Sequence, residues 1–521
     1  MNLPALNVIN VVLAAAPIIL LLYLLIGRHW NGSDAGLAGW GTAVFLSLLV
    51  FGGNFPLLLV AVGRAVLLSL FVLYIIWMAL LLYHTVNEAG AITVIGQEIP
   101  HLARDKPAQA LLLAWIFGSF LQGATGYGVP AAVIAPLLLG LGFGADVAVT
   151  MALLGHGWAV TFGSLGSSFL SLIAVTGVPG DTLAGPATLL LAICCLGCGF
   201  SVLWLSGGIT AVRHRGLFML LIALLMGGAQ AVIARLGLWP LAAFGAGLIG
   251  LVLVILYFTL VNGRDKNHPS LETGRFLTAF TPYFILIAVV VVGEMLLADV
   301  LSRVQLNANF PAVGTSFGWV TEAGPGRSIN LFGHGGALLL YSSLLAFLWF
   351  RWRGTFAGPD GAKQSYAGRA ILRKTWRGST KPTISIFALV AMATTMQHSG
   401  MTQLLAEALS SVAGPIFPLV SPFIGVLGAF MTGSNTNSNV VFGDLQQQTA
   451  VALSLSVPII LAAQTAGAAI GSVFAPAKVV VGCSTIPGSN NGRVLRLTAA
   501  YSLTITLVVA IFAWLLLTVH R

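Results

Sequence analysis

Apolar stretches about twenty residues long succeed one another from Leu6 to Leu517, and a stretch of that length is one helix across a bilayer. That succession sets the fold class: an all-α polytopic membrane protein. Composition agrees, with 58% of residues apolar and 7% charged, against roughly 45–50% and about 25% in soluble domains. Spans are predicted near 7–26, 37–53, 66–83, 185–206, 216–234, 239–261, 279–301, 330–350, 383–408 and 497–518. Leu6 to Ile26 has neither a basic n-region nor a small-residue cleavage site, so it reads as a retained span. The loops 303–329 and 351–382 are too short for a core of their own. Within the second, Arg369 to Lys381 is read as a solvated basic loop in preference to an amphipathic surface helix.

One polar run interrupts this apolar background: Gly433-Ser434-Asn435-Thr436-Asn437-Ser438-Asn439. Small and amide-bearing residues compete with helical hydrogen bonds, so the run is expected to break a membrane helix. Broken backbone at membrane depth persists only where protein buries it or where it lines a watery cavity, and in transporters that place is the binding site. An earlier run, Gln122-Gly123-Ala124-Thr125-Gly126-Tyr127-Gly128 ahead of Val129-Pro130, is built alike. A shift of 310 positions lays Phe120 on Phe430, Gly123 on Gly433 and Gly157 on Gly467. Two site-bearing units are therefore expected, 107–177 and 413–485, set among segments 1–106, 178–412 and 486–521. If each unit is a broken helix, a return arm and a polar-interrupted helix, an odd number of crossings separates their starts, and they are inverted repeats.

The formal charge of +10 would form a patch in a nucleic-acid binder; here it reads as topology. With the loop 351–382 inside, 18 of the 24 Lys and Arg fall on the inner side and five on the outer, with Lys478 left in the membrane. Both termini are then outside. Cys194, Cys195 and Cys198 share an apolar run without histidine or acidic neighbours, a setting for packing and not for a metal, and no cofactor is indicated.

Gly123 to Pro130, Thr432 to Asn439 and Ala475-Pro476 resemble the lactate permease family, bacterial symporters that import lactate or glycolate with protons. The likeness runs along nearly the whole chain. It implies a bacterial plasma-membrane transporter, and the likeness to other inverted-repeat anion carriers implies a transport domain moving against a scaffold. The chain departs from the family pattern at three positions. Gln122 and Asn435 stand where acidic residues are usual, and Lys478 where a neutral residue is. The coupling ion and the particular acid therefore do not carry over with the fold.

A carboxylate leaving water must regain several hydrogen bonds. Gln122, Gly123, Thr125, Gly126 and Tyr127 of the first break, and Gly433, Ser434, Asn435, Thr436, Asn437, Ser438 and Asn439 of the second, offer amides, hydroxyls and free backbone N–H groups at restarted helix ends. They form the candidate substrate set together with Lys478, which under the same shift stands opposite Ser168. A charge at a helix centre costs roughly 2.5–3.5 kcal/mol on insertion scales, so each one needs a reason. Lys478 either neutralises Asp444 or meets the anion. Asp444 and His156 are the candidate proton carriers, against a capping or pairing role for the first and a hydrogen-bonding role for the second. His398, Glu294, Asp299 and Glu407 fall near span ends and read as interfacial, and His334 reads as packing.

The function expected from this reading is secondary transport of a small 2-hydroxymonocarboxylate, lactate or glycolate, with H⁺. Asn, Ser, Thr and broken-helix carbonyls also suit Na⁺, so a sodium-coupled or uncoupled carrier of another small organic anion is the alternative. An intramembrane enzyme is disfavoured: the chain has no Walker motif and no His-Glu-x-x-His, and Ser434 has no histidine nearby.

Overall fold

The structure, a computed structural model, describes residues 3–98, 102–103, 105–126, 128–262, 273–356 and 367–519. α1 (Val8–Leu22), α2 (Gly32–Leu49) and α3 (Phe55–Glu88) each start on an asparagine, whose side-chain oxygen accepts from first-turn amides. α4 (Ala91–Glu98) leads to the first site-bearing unit. There α5 (Lys106–Ala110) passes through a π-helical stretch, Leu111–Phe117, into α6 (Gly118–Ala124). After a break come α7 (Val129–Gly140), a turn, α8 (Ala145–Gly155), a second break and α9 (Gly163–Thr176).

α10 (Gly180–Arg235) folds back on itself at Gly207 and Gly208, whose backbone is not helical. A Cβ added to Gly227 would touch Ala192, and one on Gly199 would lie near Met219, so the arms are antiparallel. These are the two spans expected at 185–206 and 216–234. α11 (Ala242–Asn262), α12 (Thr273–Val291) and the short α13 (Ala298–Leu301) follow.

The loop 303–329 is more ordered than its length suggested. β1 (Gln305–Leu306), β2 (Asn309–Phe310) and β3 (Val313–Gly314) return as β4 (Val320–Thr321), β5 (Gly324–Pro325) and β6 (Ile329–Asn330), pairing β3 with β4, β2 with β5 and β1 with β6. This antiparallel hairpin lies over the start of α3, with Ser316 N donating to Gly52 O at 2.8 Å and Asn54 Nδ2 to Gly314 O at 2.9 Å.

α14 (Gly335–Arg353), α15 (Ala367–His398) and α16 (Met401–Ala413) come next. The reading of Arg369 to Lys381 as a solvated loop is corrected here, because these residues are the first turns of α15. Ala367, Ile371, Thr375 and Ser379 recur every fourth position and are buried, Trp376 packs edge-on against Trp77 of α3, and Lys374 pairs with Glu88. The span expected at 383–408 is likewise two helices, parted at Gly400 (φ +79°).

The second unit holds α17 (Phe417–Thr432), α18 (Asn435–Ala452), α19 (Val457–Val473) and α20 (Pro476–Ser484), and α21 (Asn491–Val519) closes the chain. Among the described residues nine helical stretches are long and apolar enough to cross a membrane. α17 and α19 approach backbone to backbone. A Cβ on Gly425 would sit 2.1 Å from Gln464 O and one on Gly467 2.0 Å from Pro422 O, so the absence of side chains is what permits the contact.

Both units run helix, break, helix, turn, helix, break, helix. α9 of the first packs on α18 of the second, and α20 of the second packs on α7 and α8 of the first. Their turns lie at opposite ends of α21. Asp146, just past the first turn, accepts from Asn490 N at 2.7 Å and pairs with Arg493 at 3.5 Å, whereas Leu455 in the second turn shares an apolar cluster with Leu517.

Candidate functional site

Each unit breaks its helices with residues that tolerate left-handed backbone. After α6, Gly126 and Gly128 take φ +67° and +84°, and Pro130 stands in the first turn of α7. A Cβ on Gly126 would fall 1.7 Å from Ser164 Oγ, so the two breaks of this unit press on one another. At the second break Ser164, Leu165 and Gly166 are consecutive left-handed residues with φ +48°, +57° and +78°. The two that are not glycine cost roughly 1–2 kcal/mol each, which the surrounding packing must outweigh. In the other unit Gly433 (φ +71°) ends α17, and Ser434 caps α18 by accepting from Asn437 N at 3.3 Å. Ala475-Pro476 restarts the chain as α20.

The four restarted helices, α7, α9, α18 and α20, meet at one cavity of about 360 Å³. Gln122, Gly128, Ser164, Ser167, Ser168, Gly433 to Asn437 and Lys478 line it from the two units. Asn31 to Ser33 at the start of α2, Ile76 of α3 and Lys381, Pro382, Ser385 and Ile386 of α15 complete the wall. Asn31 and Lys381 are exposed, so the mouth lies on the face that carries the basic start of α15, the face expected to be inner from the positive-inside bias. A helix start carries about half a positive charge and leaves its first N–H groups without helical acceptors. Lys478 adds a full charge. Its Nζ donates to Ser472 Oγ at 3.0 Å, and among the described residues no carboxylate lies within ion-pair distance of it. The cavity is thus positive and rich in donors.

Of the residues singled out in the sequence, Gln122, Gly433, Ser434, Asn435, Thr436, Asn437 and Lys478 line this cavity. Others hold its wall from behind. Asn439 Nδ2 donates to Ser168 O and Thr465 Oγ1, both at 3.0 Å, and Ser438 Oγ donates to Gly425 O at 2.9 Å. Gly126 lies against Ser164, Thr125 Oγ1 turns back to Leu121 O at 2.7 Å, and Gly123 serves helix packing, its missing Cβ 2.4 Å from the Phe244 backbone of α11. Tyr127 falls outside the described residues.

The two proton-carrier candidates stand apart from the cavity. His156 is fully buried, with Nδ1 donating to Ala152 O at 2.8 Å and Nε2 without a partner among the described residues. Asp444, nine residues along α18 from Asn435, is about 13 Å further on at 1.5 Å per residue. Its Oδ1 accepts from Gln397 at 3.3 Å and Gln448 at 3.4 Å, its Oδ2 is unpartnered among the described residues, and it makes no pair with Lys478. His398, read as interfacial, is buried at the end of α15.

Sequence reasoning named Asn435 and Thr436 but passed over Thr161 and Thr465, and it gave Ser168 no part in tying the two units together. Asn435 Nδ2 donates to Thr161 Oγ1 at 3.0 Å and Thr465 O at 3.3 Å, and Ser168 and Thr436 share a hydrogen bond of 3.0 Å between hydroxyls. The run Gly163-Ser164-Leu165-Gly166-Ser167-Ser168 was the available signal, a small polar stretch inside an apolar span like the two that were used.

Residues 10–520 match the family model described as L-lactate permease. Among curated proteins, the chain is 26% identical to the L-lactate permease of Halalkalibacterium halodurans over 98% of its own length and 97% of that protein. It is 25% identical to the L-lactate permease of Bacillus subtilis (96% and 95% covered) and 26% identical to the glycolate permease GlcA of Escherichia coli (97% and 95%). Among solved structures, the YdaH transporter of Alcanivorax borkumensis aligns with 87% of this chain and 86% of its own at 13% identity and a TM-score of 0.48.

Proposed function

The chain belongs to the L-lactate permease family, and from that premise we propose that it carries lactate, glycolate or a closely similar 2-hydroxymonocarboxylate across the bacterial plasma membrane together with a proton. A permease family makes it a transporter and not an enzyme. The observation that carries the anion reading is Lys478, a cation at a cavity wall formed by four helix starts, hydrogen-bonded to a serine and, among the described residues, to no carboxylate. Each helix start that points at an anion adds roughly 0.3–1 kcal/mol. Gln122 supplies the complementary group for the 2-hydroxyl: its Oε1 is a buried acceptor without a protein donor among the described residues, on the same cavity.

The two units are read as inverted repeats, a reading supported by their common element order, by the reciprocal packing of α9 on α18 and α20 on α7, and by turns at opposite ends of α21. Asp444 is the proposed proton carrier. It shares α18 with the substrate-facing asparagines, and through Gln397 it touches α15, so one helix links the substrate to the carboxylate. One observation favours a second reading, sodium-coupled or uncoupled exchange: no Asp or Glu is among the residues lining the cavity.

The test is counterflow of labelled L-lactate in proteoliposomes, challenged with unlabelled lactate, glycolate, acetate and succinate. Displacement by the 2-hydroxy acids well ahead of acetate supports the assignment. Absence of counterflow with any small carboxylate overturns it.

A further inference from the structure

A second polar cavity, of about 320 Å³, lies on the opposite side of the same seam between the units and the surrounding helices. Three helices line both cavities. α9 gives Ser164, Ser167 and Ser168 to the first and Ala174 to Gly177 to the second; α3 gives Ile76 to the first and Arg64 with Leu68 to the second. α15 gives Lys381, Pro382, Ser385 and Ile386 to the first and Thr394, Gln397 and His398 to the second. The β-hairpin roofs the second cavity with Pro325, Gly326 and Arg327. Between the two cavities the seam is closed by buried apolar side chains, among them Phe71, Leu389 and Val440. A solute crossing from the hairpin face to the inner cavity along this seam meets the second cavity first.

The chemistry of that cavity is cationic and undersatisfied. Arg327 lies over the Phe71 ring, 4.2 Å from its centroid, and Arg64 lies 5.5 Å from the Phe310 centroid while donating to Glu322 O at 3.3 Å. Neither guanidinium has a carboxylate within ion-pair distance among the described residues, and the Nε of each is buried without a partner. His398 is 2% exposed, with Nδ1 donating to Thr394 O at 2.8 Å and Nε2 unpartnered among the described residues. The end of α9 brings an opposing partial charge of about half a unit, against two full cations. Asp444 is the nearby acid; its Oδ1 is taken up by Gln397, which stands between it and the cavity.

We propose that this outer cavity is a capture site for the carboxylate of the incoming solute, with Arg64 and Arg327 as its cations, filled before the seam opens toward the inner cavity. A guanidinium's planar fork matches a carboxylate, and a cation already held against an aromatic face meets it at little cost in side-chain order. The proposal rests on the reading that the solute is a small carboxylate. It adds a station on the outer face that the inner cavity does not need in order to bind.

The test measures the KM for labelled L-lactate from each face, in right-side-out and in inverted membrane vesicles, for the unaltered protein, Arg327→Gln, Arg64→Gln and Arg327→Lys. Loss of one charge-assisted contact is expected to raise the outer-face KM about tenfold in each glutamine variant, to leave the inner-face KM within about twofold, and to be partly restored in Arg327→Lys. Arg64 and Arg327 sit on separate elements, so the loss of either fold leaves the other variant to decide. An unchanged outer-face KM, or an equal rise from both faces, overturns the capture site and leaves the inner cavity standing. If the unaltered protein moves no lactate in either vesicle, the carboxylate reading itself fails and the capture site goes with it.

Discussion

Asn435 and Asn437 are two positions apart on α18 and differ in what they hold. The Asn435 amide is spent on Thr161 and Thr465, whereas the Asn437 side chain lines the cavity with no protein partner among the described residues. Asn437→Leu is therefore expected to weaken lactate binding about tenfold while leaving stability within about 0.5 kcal/mol. Asn435→Leu strips a donor from a buried carbonyl and is expected to cost about 1–3 kcal/mol of stability as well. Thermal melts with and without lactate separate the two; equal loss of stability in both variants would contradict the division of roles. Asp444→Asn keeps an acceptor for Gln397 but removes the titrating group. Accumulation of lactate down a pH gradient is expected to vanish while counterflow persists, and normal accumulation would make Asp444 a packing residue.

At the scale of elements, the close approach of α17 and α19 decides how firmly the second break is held. Gly467→Ala puts a methyl 2.0 Å from Pro422 O, which neither backbone can accept without parting, and overpacking of that kind costs about 1–3 kcal/mol. A lowered melting temperature in detergent checks this, and an unchanged one contradicts the contact. The spans were legible because twenty apolar residues admit one solution in lipid, and the breaks because each polar run carries a glycine that ends a helix, although the expected break over 433–439 is confined to Gly433 and Ser434 and Asn435 to Asn439 form the first turns of α18. The first turns of α15 were not legible, since five basic residues between Arg369 and Lys381, counting both, mask a stripe of one buried residue in four. Nor was the hairpin, whose paired segments are two residues each and draw their hold from the start of α3. The site was half legible. Its polar runs stood out, but Asn435 finds Thr161 across 274 positions, and no local pattern encodes that pairing.

At the scale of the whole molecule, the inner cavity opens on the basic face and is closed toward the hairpin face by an apolar layer. Ser385 of α15 lines this cavity, and the four native cysteines are buried and free of disulfides. Ser385→Cys is thus expected to react with a membrane-impermeant maleimide in inverted vesicles and not in right-side-out ones, and lactate is expected to slow the reaction. Labelling from the hairpin face alone would reverse the assigned orientation. The central claim is that one cavity, built where four helices restart, binds a small carboxylate through Lys478. Equilibrium binding of labelled L-lactate to purified protein tests it most directly, comparing the unaltered chain with Lys478→Gln and, as a surface-charge control, Arg373→Gln. Loss of the charge at Lys478 is expected to raise the Kd at least about tenfold, or about 1.4 kcal/mol, with Arg373→Gln unchanged; equal affinity in Lys478→Gln and the unaltered protein would contradict the account.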